Sequence, residues 1–169
     1  MLLKKINAVI GLLSVILLWA HSAVNTLLLL RGQAGETPER FSYALFALVI
    51  LHILISLFVM FFKTDHANGK KYPKVRSGWL WQRVTAVALI PLAVFHAEIH
   101  VGTFGIGLAP ILAAHFLVML LCYIHIPLSV PNALLTLGLI ESSGQHKTVR
   151  TVCWAVCALL FAFGLAAGL

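Results

Sequence analysis

The chain has 169 residues, of which 61% are hydrophobic and only 10% are charged. A water-soluble domain carries roughly a quarter charged residues, so this composition excludes an ordinary soluble fold. The formal net charge is +7. A basic surface of this kind favours anionic lipid or an acidic protein subunit as its partner, and we do not expect nucleic acid binding.

Five apolar runs follow one another along the chain, and each is long enough to cross a bilayer as a helix, which takes ~20 residues. They lack the alternation of apolar and polar residues that is typical of membrane β-barrels. We therefore predict an all-α bundle of five transmembrane helices in a single domain over residues 1–169. The predicted spans are residues 6–30, 40–62, 79–101, 108–139 and 149–168.

The first run continues through Leu30, which is too long for a signal peptide, so we expect it to be retained. Pro38 is followed by an acid, which predicts that the second helix begins there. Pro127 and Pro131 predict a bend near the inner end of the fourth helix. The cysteines have no CxxC spacing, and we interpret them as small packing residues. They are Cys122, Cys153 and Cys157.

Orientation follows from the Lys and Arg residues of the short connections. The first connection offsets its arginines with glutamates, and the third has no Lys or Arg. The other basic residues lie before the first span and around the second and fourth connections. These are Lys4, Lys5, Lys63, Lys70, Lys71, Lys74, Arg76, Arg83, Lys147 and Arg150. We predict a cytoplasmic-membrane protein with its amino terminus inside and its carboxyl terminus outside.

Each of the first four spans contains a candidate ligand histidine: His21, His52, His96 and His125. A polar ring inside hydrocarbon marks a functional candidate, and four imidazoles are the number that two six-coordinate haems require. From a rise of ~1.5 Å per residue, His52 lies ~16 Å from the inner boundary and shares the inner half with His125. His21 and His96 lie in the outer half, so the predicted pairs join helices one with three and two with four.

Alternatives to these ligands remain open on the same helices. His115 competes with His125, and His100 lies one turn beyond His96. Each histidine could also bond to a backbone carbonyl as an ordinary packing residue. His66 and His146 lie between the spans, where we expect them to be solvated.

Other polar residues in the spans are candidate cofactor contacts. Three of them lie one turn beyond a ligand histidine, on the same helix face. They are Asn25, Ser56 and Ser129. Arg83 could bind a haem propionate or anchor the helix at the membrane boundary, with Thr85 beside it. Glu98, the only acid in the predicted spans, could relay protons to a quinone or extend to water.

The segment Trp81–Ala86, followed by His96, resembles the diheme cytochrome b anchor of succinate:quinone oxidoreductases (succinate dehydrogenase and fumarate reductase) with one five-helix subunit. The family has an Arg-x-Thr-small motif at this helix start. The resemblance covers nearly the whole chain. It pairs the first- and third-helix histidines on an outer haem b and the second- and fourth-helix histidines on an inner one. The chain departs from the pattern at Lys4–Ala8, at Ser56 in place of glycine, and in a very short third connection.

The resemblance implies that the chain anchors a flavoprotein and an iron–sulfur protein on the cytoplasmic face. Electrons would pass between the iron–sulfur protein and a membrane quinone through the two haems, while the dicarboxylate chemistry occurs in the partner subunits. We expect the partners to dock on the inner ends of helices two and four and on residues 70–76. Two other interpretations remain: the cytochrome b anchor of a hydrogenase or formate dehydrogenase, and a haem-free small transporter or assembly scaffold.

Overall fold

The computed structural model describes residues 2–32, 39–62, 77–101 and 108–167, and the regular structure there is entirely α-helical. The helices are α1 (Leu2–Leu30), α2 (Glu39–Phe62), α3 (Ser77–Val101), α4 (Leu108–Leu137) and α5 (Ser143–Ala166). The predicted all-α class is confirmed, and each helix contains most of one predicted apolar run. Helix α5 begins before its predicted apolar run, since its first turns consist of polar residues that lie outside that run.

Within the described residues, four helices are long and apolar enough to cross a membrane, as expected for a multi-pass membrane protein. Their apolar segments are Leu2–Leu28, Phe41–Val59, Ala113–Leu137 and Ser143–Ala166. Helix α3 contributes a shorter apolar segment, Leu80–His96. Every helix also exposes large apolar side chains, among them Leu13, Phe58, Val87, Leu135 and Leu159. Such faces are suited to contact with lipid.

Helix α4 is the centre of the bundle. It supplies Tyr123, Ile126 and Val130 to the buried cluster, which α5 completes with Cys153 and Cys157. Leucine, valine and tryptophan side chains of α1 pack against this cluster. Two of the three cysteines therefore lie in the apolar core, in agreement with their interpretation as packing residues.

The two prolines of α4 lie inside the helix and not at its end. Pro127 and Pro131 are almost completely buried, and the helix continues beyond them to Leu137. Each proline removes one backbone hydrogen bond from the helix. The missing backbone hydrogen bonds lie in the part of α4 that is enclosed by the neighbouring helices.

Helix α4 packs closely against α1, α3 and α5, while α1 packs against α2, α4 and α5. The first four helices thus follow the spatial order α2, α1, α4, α3. Within the described residues, α1 does not pack closely against α3, nor α2 against α4. These are the two helix pairs on which the predicted ligands lie, so the histidines of each predicted pair belong to helices that are not close packing neighbours.

A short connection turns the chain from α4 into α5. Gly138 has φ +77°, and its N–H and the next one donate to carbonyls of the last helical turn at 3.1 and 3.0 Å. This is the Schellman arrangement, in which glycine adopts the left-handed conformation without steric cost. Helix α5 then begins with a capping box between Ser142 and Gln145. The two helices are fixed as an antiparallel hairpin.

Candidate functional site

His125, on α4, is held from two sides by hydroxyl groups. Its Nδ1 lies 3.0 Å from Oγ1 of Thr85 on α3, and its Nε2 lies 2.9 Å from Oγ of Ser129, one turn further along α4. Thr85 is itself buried, with 4% of its surface exposed. The ring is therefore fixed between its own helix and the neighbouring one.

The environment of Thr85 indicates the tautomer of His125. The Thr85 hydroxyl donates to the backbone carbonyl of Trp81 at 2.8 Å, so its oxygen is left to accept a hydrogen bond from the imidazole. A neutral imidazole has one N–H, and this contact places it on Nδ1. The lone pair is then on Nε2, where the Ser129 hydroxyl donates to it. A ligand histidine likewise has a hydrogen-bond partner on one nitrogen and a lone pair on the other.

His52, on α2, is fixed by close packing against α1. A Cβ built on Gly11 would lie 2.8 Å from Cε1 of the His52 ring and 3.1 Å from its Nδ1. Among the described residues, no hydrogen bond of ordinary length and angle reaches the buried Nδ1. His52 thus fills the space that a glycine leaves on the adjoining helix.

Ser56 lies one turn beyond His52 but hydrogen-bonds to α1. The Asn7 amide nitrogen donates to Ser56 Oγ at 3.0 Å, and the Ser56 hydroxyl lies 3.3 Å from the Asn7 amide oxygen. Both residues belong to segments where the chain departs from the family pattern, and the structure joins these two departures to each other. Ser56 is therefore placed to hold α2 against α1.

The two histidines that the sequence assigns to the inner haem, His52 and His125, lie on α2 and α4, which do not pack closely against each other within the described residues. The depth estimate from the sequence had placed these two histidines at one level. Their roles as ligands stay predictions.

His21, on α1, has contacts on its own helix and on α2. Its Nε2 lies 2.8 Å from Nδ2 of Asn25, the residue one turn further along, and its ring stacks on Phe41 with centroids 6.1 Å apart. The amide nitrogen of Asn25 can only donate, so Nε2 of His21 carries the lone pair in this contact.

His96, on α3, has its ring against that of His115, on α4. The two centroids are 5.0 Å apart and the rings are tilted by 42°. The sequence made His115 an alternative to His125 as a ligand. In the structure it lies instead beside His96, while His125 lies further along α4 beside Thr85.

Three further predicted residues lie on α3, and the structure describes the side chain of one of them. Arg83 lies in the first turns of α3 with an exposed side chain. Glu98 and His100 belong to α3, but their side chains lie outside the described residues. His66 and the predicted docking segment, residues 70–76, also lie outside them.

One network that sequence reasoning missed joins three helix ends. The Asn132 amide nitrogen donates to Gln82 Oε1 at 3.0 Å, and its amide oxygen lies 3.2 Å from His146 Nε2. His146 therefore does not lie in a connection, where the sequence had predicted it. It belongs to the first turns of α5 and is half-buried. The polar turns at the start of α5 were the available signal, because they extend the helix beyond its apolar run.

A second missed contact joins α1 to α4. Ser22 Oγ and Tyr123 Oη are 2.6 Å apart, and the tyrosine is buried. The Gly11 contact was missed as well. The available signal in the sequence is a matched spacing. Asn7 and Gly11 are four residues apart, as are His52 and Ser56, and antiparallel helices bring Asn7 opposite Ser56 and Gly11 opposite His52.

A haem b is the cofactor that the family resemblance implies, and its predicted inner ligands, His52 and His125, each have contacts that hold the ring. Gly11 keeps one ring close to the backbone of α1, and Thr85 holds the other by its Nδ1. Axial imidazoles supported by such outer contacts are the usual ligands of a six-coordinate haem.

No protein-family model, curated protein or solved structure matches this chain.

Proposed function

We propose that this chain is the membrane-anchor cytochrome b subunit of a succinate:quinone oxidoreductase. In that role it carries electrons between an iron–sulfur subunit and membrane quinone through two bis-histidine haems b. His52 and His125 hold the inner haem, and His21 and His96 the outer one. The observation that carries the proposal is the placement of the His125 ring. Its Nδ1 lies 3.0 Å from the Thr85 hydroxyl and its Nε2 lies 2.9 Å from the Ser129 hydroxyl.

The proposal assigns separate tasks to the side chains around the inner pair. When bound, haem b supplies reversible one-electron transfer at its iron. Thr85 fixes the ring plane of His125, and Gly11 lets His52 approach α1. Both histidines are half-buried between helices, and these surroundings would set the local polarity on which a haem potential depends.

The proposed topology has five spans, with the amino terminus inside the cytoplasmic membrane. The polar network of Gln82, Asn132 and His146 supports it, because it joins the start of α3, the end of α4 and the start of α5. The basic residues Lys147 and Arg150 follow in the first turns of α5. A concentration of positive charge at one end of the bundle is typical of a cytoplasmic face.

The proposed partners are a flavoprotein and an iron–sulfur protein on that basic face. Arg83 is exposed there and remains a candidate for a haem propionate. Glu98 remains a candidate proton relay to a quinone. The dicarboxylate reaction takes place in the flavoprotein.

The test is purification of the chain in detergent from its own membranes with haem supply intact. We expect a Soret band and, by pyridine haemochrome assay, about two haems b per chain. Subunits that copurify should include a flavoprotein that oxidises succinate or reduces fumarate. Protein without a Soret band would support the haem-free scaffold. A haem-loaded chain that copurifies with a hydrogenase or formate dehydrogenase would assign it to another quinone-linked complex.

A further inference from the structure

The first two helices share a consistent antiparallel register. Asn7 bonds to Ser56, Gly11 receives the ring of His52, and His21 stacks on Phe41. Residue numbers rise along α1 as they fall along α2 in all three contacts. The register therefore brings Gly11 of α1 opposite His52.

The absence of a side chain at Gly11 matters because the distances leave no room for one. The Cβ of an alanine would lie 2.8 Å from Cε1, 3.1 Å from Nδ1 and 3.6 Å from Nε2 of His52. A separation under 3.0 Å is below van der Waals contact. The histidine is the more mobile of the two partners, because its ring can rotate about χ1 and χ2 while Gly11 is part of a helix. An alanine would consequently displace the ring and leave the helix in place.

Gly11 also gives the ring access to the backbone. In an α-helix the carbonyl of residue 7 points towards residue 11, whose side chain would otherwise cover it. The ring atoms nearest to Gly11 are Cε1 and the buried Nδ1, which has no hydrogen-bond partner among the described residues. The Asn7–Ser56 pair, one turn away, keeps the two helices in the register that the contact needs.

We infer that Gly11 is the positioning residue for His52, and that Asn7 and Ser56 lock α1 and α2 in the register that keeps the ring over Gly11. The inference rests on the proposed function, since it concerns the orientation of one ligand of the proposed inner haem. It assigns to α1 a role at the inner haem, besides the ligand His21 that the same helix supplies to the outer one.

The test compares Gly11→Ala with the wild-type chain and with Gly144→Ala. The control makes the same substitution in α5, where a Cβ meets its nearest neighbour, Ser142 Oγ, at 3.8 Å, an ordinary contact. The readouts are haem content, the midpoint potentials and the low-spin ferric EPR signals, which respond to the relative orientation of the axial imidazole planes. We expect Gly11→Ala to shift the signal of one haem, or to reduce haem content from about two to about one per chain. Gly144→Ala should match the wild type.

Ser56→Ala is the second variant, and it decides the question if Gly11→Ala does not fold. It adds no volume and removes only the contact to Asn7, so we expect a smaller shift in the same haem signal. The inference is overturned if Gly11→Ala and Ser56→Ala, where they fold, have the same EPR signals and midpoint potentials as the haem-loaded wild type. A wild-type chain without haem would overturn the proposed function and this inference together, so the two failures are distinguishable.

Discussion

The chain contains two His-x-x-x-Ser segments in helices, and the structure uses them in different ways. In α4, Ser129 bonds back to His125, and Thr85 of the neighbouring helix completes the contacts of the ring. In α2, Ser56 bonds to Asn7 of the neighbouring helix, and His52 is held by the shape of α1 at Gly11. One ring is fixed by hydrogen bonds and the other by packing.

The difference comes from the adjoining helix and not from the motif. Helix α3 presents a buried hydroxyl at the level of His125, whereas α1 presents a glycine at the level of His52. A serine one turn from a histidine can thus hydrogen-bond either to the histidine ring or to the neighbouring helix. The four predictions that follow test this contrast.

The largest effect is expected from removal of either inner histidine. His52→Ala and His125→Ala should each abolish the same haem and lower haem content from about two to about one per chain. Visible spectra and a pyridine haemochrome assay measure the loss. His146→Ala is the matched control and should retain both haems, because its contact is with Asn132 at the end of the bundle. Two different residual haem spectra for the two variants would contradict the pairing.

The next effect concerns the hydrogen-bonded ring alone. Thr85→Val keeps the shape of the side chain but leaves the Nδ1–H of His125 without an acceptor, which costs about 1–3 kcal/mol of stability when the group is buried. We also expect a shift in the midpoint potential of one haem. Unfolding in mixed detergent and a redox titration give the two values. Thr148→Val on the exposed start of α5 is the control, with a change within about 0.5 kcal/mol.

A smaller effect of different sign is expected at Ser129. Its hydroxyl occupies the same Nε2 lone pair that a metal would use, so Ser129→Ala removes a competitor and should retain both haems. The loss of one hydrogen bond should change stability by roughly 0.5–1.5 kcal/mol. Haem titration of the apoprotein measures the affinity, which should equal or exceed that of the wild type. Weaker binding than in Thr85→Val would show that Ser129 supports the ligand.

The smallest effect is expected at the contact between α1 and α4, remote from the two histidine motifs. A double-mutant cycle of Ser22→Ala and Tyr123→Phe should give a coupling energy of about 0.6 kcal/mol, the average for hydrogen bonds between membrane helices. Haem content should stay constant throughout the cycle. A coupling above about 2 kcal/mol would show that this bond, and not apolar packing, holds α1 to the core.

The sequence predicted the helices well because apolar runs of this length have few alternatives in lipid. It also predicted which residues share a face with each histidine, since that depends on one helix only. It did not predict the partner of Ser56 or the glycine opposite His52. Both depend on the register between two helices, which the hydrophobic pattern of such uniformly apolar segments does not specify.

The start of α5 was misjudged for a related reason. Its first turns are polar, and the capping box of Ser142 and Gln145 begins the helix before any apolar residue appears. His146 was consequently assigned to a connection, although the structure places it in α5 against Asn132. Where a helix extends beyond its apolar residues, its first residue is indicated by the capping residues and not by hydropathy.

The Asn132 side chain hydrogen-bonds to both Gln82 and His146, so it joins the adjacent ends of α3, α4 and α5. Asn132 is also two helical turns from His125, on the helix that carries it. A protein bound at this end would contact three helices that are joined by hydrogen bonds. A tilt of this end would therefore move His125 and Thr85 together. The hydrogen-bonding contact between Thr85 and His125 would be kept during such a movement.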